Sequence, residues 1–157
     1  MNVSLVYAAM GAGIVALIYA FLKTQWINRQ DPGNQALQDI GAAVREGAMA
    51  FLARQYRVLL VFVLITGGLL YFFNKGDARW VGVAFLLGAF CSALSGYFGM
   101  KVATAANMRT AHKAEKGLQP ALEVAFSGGS VMGMSVVGLA LLGIGIMFWW
   151  LTDLLGT

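Results

Sequence analysis

The chain has 157 residues, of which 59% are hydrophobic and only 11% charged, and a formal net charge of +4. Soluble globular proteins carry roughly 25% charged residues, so this composition excludes a water-soluble domain and indicates an integral membrane protein. The positive balance does not indicate a nucleic-acid partner, because the basic residues gather in two connections between apolar stretches, the pattern of an orientation signal.

Crossing a hydrocarbon core takes about 20 helical residues. Four stretches satisfy this: Val3 to Leu22, about Phe51 to Phe73, Val81 to Met100, and about Val124 to Leu151. The expected fold class is therefore all-α, a polytopic membrane protein of four transmembrane helices in one unit. The first stretch is of full span length and no Lys or Arg precedes Val3, so it reads as a retained span and not as a cleavable signal peptide.

After the first span, Asp31-Pro32-Gly33-Asn34 forms a turn in which Gly33 supplies a positive φ and Asn34 caps the next helix. Leu37, Ile40, Val44, Ala48, Phe51 and Leu52 recur at helical spacing, with Gln35, Asp39, Glu46 and Arg57 opposite. This predicts an amphipathic lead-in to the second span. Asn74-Lys75-Gly76-Asp77 reads as a tight return in which Asp77 caps the third helix. Gly117 terminates that helix, and Pro120 and Glu123 suit the first turns of the fourth.

Lys23, Arg29, Arg45, Arg54 and Arg57 flank the first connection, and Lys101, Arg109, Lys113 and Lys116 lie in the last. The positive-inside rule places both on the cytoplasmic side, with both ends of the chain facing outward. Tyr71, Phe72, Phe73, Trp80, Phe148, Trp149 and Trp150 then form a belt at the outer interface, together with Asp77 and Asp153.

The candidate chemical groups are few. Gly11-Ala12-Gly13-Ile14-Val15-Ala16 matches the letters of a dinucleotide loop but lacks the preceding strand, and the Gly-rich run Ser127 to Gly145 lacks the Gly-Lys-Ser/Thr ending of a phosphate loop. Small residues in spans more often permit close helix contact, so Gly129 with Gly133, and Gly88, Ser92 and Gly96, are expected as contact stripes. Cys91 reads as a packing residue and His112 as a solvated loop residue. Glu46 belongs to the polar face of the lead-in rather than to an ion route. Lys101 and Arg109 set topology and touch lipid phosphate. The seven acids, Asp31, Asp39, Glu46, Asp77, Glu115, Glu123 and Asp153, include no pair three or four apart on a helix, as converging magnesium ligands would need. No catalytic, cofactor-binding or metal-ligating residue is assigned to the chain. No span carries the polar lining of a channel.

Three blocks carry a resemblance. Glu46, Gly47, Ala48, Phe51, Leu52, Gln55 and Tyr56 form the first; Gly96, Tyr97, Gly99, Met100, Ala103, Ala106, Asn107, Arg109 and Thr110 the second. Gly117-Leu118, Ala125-Phe126, Gly129 and Val131-Met132-Gly133 complete it. In this order they resemble the membrane-bound, ion-pumping inorganic pyrophosphatases, with Ser127 standing where that family usually carries a basic residue.

The resemblance implies the N-terminal four-helix portion of such a pump, residues 1–157. The whole enzyme would hydrolyse pyrophosphate at a cytoplasmic magnesium site, drive H⁺ or Na⁺ across the membrane, in some members require potassium, and work as a homodimer. It further implies a place in the outer of two helical rings, in a bacterial inner membrane, with the remaining pump helices and lipid as partners. The family's acidic substrate motifs are missing from this stretch, so the four spans would brace the pump without a catalytic site. The rival reading is a self-contained four-span scaffold or assembly subunit without enzymatic activity.

Overall fold

The computed structural model describes residues 3–155, and their side chains except at 3, 77 and 153–155. It contains four long helices: α1 (Val3–Asn28), α2 (Gln35–Phe73), α3 (Trp80–Ala114) and α4 (Leu118–Leu155), with a one-turn 3-10 helix at Gly76–Arg79 before α3. Each is long and apolar enough to cross a membrane.

The helices extend well beyond the expected spans. At 1.5 Å per residue, the 39 residues of α2 run about 58 Å, against about 30 Å of hydrocarbon. The amphipathic lead-in is thus the first half of α2 itself. Asn34 caps it as expected, its Oδ1 accepting the Leu37 N–H at 2.9 Å, and Gly33 holds φ +88°. Likewise α3 continues in helical form to Ala114, so the last connection is a true turn only around Glu115–Gly117, closed by Gly117 at φ +121°. Pro120 falls in the first turn of α4, where a missing N–H costs nothing.

The third helix departs from expectation at its start. Asp77 is not its cap: the residue lies inside the 3-10 turn, and the N-cap position is Arg79, without a side-chain cap bond. The tightened turn runs directly into α3 and replaces a capping side chain. Gly76 has the expected freedom, at φ +60°.

The four helices do not close into a bundle. They stand in the order α2, α3, α4, α1, each antiparallel to the next, and α2 packs substantially only on α3. Small residues set the contacts. A Cβ on Gly13 would lie 3.0 Å from the Gly138 carbonyl oxygen, and one on Gly138 would lie 2.9 Å from that of Gly13, so α1 and α4 touch backbone to backbone. Gly82 meets Gly67 and Tyr71 of α2 in the same way. Tyr56 ties α2 to α3 by donating to the Ala93 carbonyl at 2.6 Å. The common core of Ala20, Ile27, Val102, Ala106, Val124 and Val131 sits among α1, α3 and α4.

The expected contact stripes are corrected by this arrangement. A Cβ at Gly129, Gly133 or Gly88 meets nothing within 4 Å; only Gly96 of the predicted set is covered, by the Tyr56 hydroxyl. Gly99 instead faces Met132, and Gly128 faces Ala106. Along the lead-in, Leu52 is buried, while Ile40, Val44 and Phe51 are exposed on the flank of α2. Gly13 and Ala16 of the dinucleotide-like motif are packing positions in mid-helix, and Cys91 is a free thiol packed near Gly143. Trp80 and Trp150 stack edge to face at 4.9 Å, which brings the expected aromatic belt to one end. The side chains of Asp77 and Asp153 lie outside the described residues.

Candidate functional site

A cluster of ionisable groups gathers at the end opposite the aromatic belt, where α1 stops and α3 passes it. A helix C-terminus leaves carbonyls without partners and carries partial negative charge. Arg109 of α3 answers both. Its Nε donates to the Gln30 carbonyl at 3.0 Å, one terminal nitrogen to Asn28 at 3.2 Å, and the other to Ala105 of its own helix at 2.7 Å. The guanidinium fork suits this task because its donors diverge in a fixed plane. The expectation that Arg109 reaches lipid phosphate is therefore corrected: its guanidinium turns inward, with two bonds to the end of α1 and one to its own helix.

His112 lies one turn further along α3. It is not a solvated loop residue, since its side chain is only 16% exposed and packs against Gly33. Its Nε2 is 3.5 Å from Asp31 Oδ2 and its Nδ1 is 3.3 Å from Glu115 Oε2, the latter without hydrogen-bond geometry. Asp31 Oδ1 also accepts the Gly33 N–H at 2.9 Å. That bond, helped by the nearby His112 and Lys116, holds the Asp31 carboxyl below its ordinary range. Gln38 donates to the Gly33 carbonyl at 2.8 Å. The result is a lock of the α1–α2 turn onto α3. Asp31 and Glu115 are far apart in sequence, so no helical spacing could have paired them.

The remaining candidates stay apart. Glu46 is exposed on α2, and Asp39 is held by Gln35 at 2.9 Å. Lys23 reaches the buried Ser127 hydroxyl at 3.5 Å and lies 4.8 Å from the Trp26 ring. A basic side chain at 127 would put a second cation in the slot that Lys23 already fills. Among the described residues no three His, Cys, Asp or Glu groups are placed to hold a metal ion. Magnesium with pyrophosphate needs several hard oxygen ligands. Asp31 and Glu115 flank an imidazole and do not share an open point, so the residues present do not fit that group.

Known proteins share this segment. The family model described as Inorganic H⁺ pyrophosphatase matches residues 14–156. The K⁺-insensitive pyrophosphate-energized proton pump 2 of Moorella thermoacetica is 47% identical over 87% of the chain, and the K⁺-insensitive pyrophosphate-energized proton pump of Methanosarcina mazei is 40% identical over 88%. The K⁺-stimulated pyrophosphate-energized sodium pump of Thermotoga maritima is 41% identical over 86%. The chain spans only about a fifth of the length of these relatives: 20%, 21% and 18% in turn.

Proposed function

Since the chain belongs to the inorganic H⁺ pyrophosphatase family, we propose that it is the N-terminal, outer-ring part of a pyrophosphate-energised ion pump and braces the helices that carry the chemistry. The observation that carries this reading is the open row of four helices, with the apolar flank of α2 uncovered, in a segment matching a fifth of each pump. A self-contained scaffold would be expected to close its own bundle. The expected spans hold no charged side chains except Arg54 and Arg57 near the basic end. Each charge at mid-membrane costs about 2.5–3.5 kcal/mol on insertion scales, so a proton relay belongs to other helices. Magnesium, pyrophosphate and the homodimer contact are assigned to the whole pump. Proton and sodium pumps, K⁺-insensitive and K⁺-stimulated alike, resemble the segment at similar identity, which supports placing ion choice elsewhere.

The test compares two preparations in liposomes. The chain by itself is expected to show no magnesium-dependent pyrophosphate hydrolysis and no ion uptake, whereas a pump-length protein containing it shows both. Hydrolysis by the four-helix chain would overturn the bracing role. A pump-length protein that does neither would favour the scaffold.

The orientation proposed is a bacterial plasma membrane with the basic end cytoplasmic, supported by the basic connections and the aromatic belt. In a Cys91→Ala background, cysteines at Gln35 and Lys116 are expected to escape a membrane-impermeant thiol reagent in intact cells. A cysteine at Lys75 should react. The opposite labelling pattern reverses the topology.

A further inference from the structure

Because α1 and α3 both pack on α4 but scarcely on each other, a groove runs between them. It is a cavity of about 430 Å³, floored by Val131 and Ser135. Leu17, Ala20, Phe21, Phe98 and Val102 line its depth. Its upper part, toward the basic end, is lined by Thr24 and Asn28 of α1, Lys101 of α3 and Arg45 of α2. The antiparallel fit of α2 on α3, set by Gly41 against Met108 and Tyr56 on Ala93, brings Arg45 level with Lys101 and Ala105. Both cations are exposed, and among the described residues neither forms an ion pair or a side-chain hydrogen bond.

We infer that this groove holds one anionic phospholipid, with its phosphate at Arg45 and Lys101 and an acyl chain along Phe21 and Phe98. Three features select that occupant. Two unpaired cations from different helices call for a negative group, and basic pockets between transmembrane helices suit anionic headgroups. The wall below them offers no comparable polar partner, so a free phosphate would use the mouth alone while a lipid uses both parts. The volume, about 430 Å³, lies within the roughly 300–1,000 Å³ of small-molecule sites. The inference concerns only surfaces within this chain and stands apart from the pumping activity.

The experiment is native mass spectrometry of the purified protein from micelles holding equal phosphatidylglycerol and phosphatidylcholine. One phosphatidylglycerol per chain should be retained in preference. Arg45→Gln with Lys101→Gln should weaken that preference about thirtyfold, from two basic residues near the phosphate. Arg29→Gln with Lys116→Gln, which removes the same charge elsewhere, should leave it intact. Ala105→Leu, which narrows the groove without changing charge, should also lower retention. Equal loss in the two charge pairs would reduce the effect to a general surface field and overturn the site. So would retention of phosphatidylcholine alone, retention unchanged in the Arg45/Lys101 pair, or displacement by inorganic phosphate at lipid-equivalent concentration. Thermal melting of each variant in detergent confirms that the folded protein is being compared.

Discussion

Gly138→Leu is expected to abolish most of the folded, detergent-stable protein. The α1–α4 crossing is made by two glycines whose backbones meet, and a Cβ at Gly138 would lie 2.8 Å from Leu17 side-chain atoms and 2.9 Å from the Gly13 carbonyl oxygen. A leucine can turn aside from the first obstacle but not from the second, because the carbonyl belongs to the helix itself. Overpacking of this kind costs about 1–3 kcal/mol and sometimes more, and here it must separate two whole helices. The measurement is the thermal transition by tryptophan fluorescence, together with monodispersity in detergent. The paired control is Gly133→Leu, which has open space in this chain and should melt like the parent. If Gly138→Leu also melts like the parent, the helix crossing is wrongly placed.

Arg109→Ala should produce the next largest loss, about 3 kcal/mol. Two of its three bonds cross to the end of α1, to Gln30 and Asn28, and hydrogen bonds to charged groups contribute about 1.5 kcal/mol or more each. Arg109→Lys should recover only part, since one ammonium cannot reach both carbonyls in the same fork geometry. Hydrogen exchange gives a local readout: the backbone amides from Gln25 to Gln30 should exchange faster in the alanine variant. Unchanged exchange there, with a lower melting temperature, would mean that Arg109 acts through something other than the α1 terminus.

Much of the architecture was legible before any coordinates. Four apolar runs of span length dictate four helices because backbone polar groups in lipid must be satisfied within the segment. The turn at Gly33 with its Asn34 cap, and the glycines at 76 and 117 with positive φ, follow from local chemistry that needs no distant partner. The family was legible as well, from blocks around Glu46, Gly96 and Gly129.

Only the tertiary structure decided which faces meet. A span is apolar all round, and lipid is as apolar as a packed helix, so the usual contrast between inside and outside vanishes. That is why Gly129 and Gly133 read as contacts while Gly13 with Gly138, on two different helices, do the joining. His112 and Arg109 escaped for another reason. Their partners, Asp31 and the last carbonyls of α1, become neighbours only when α3 passes the end of α1, and no residue spacing along one helix encodes that crossing.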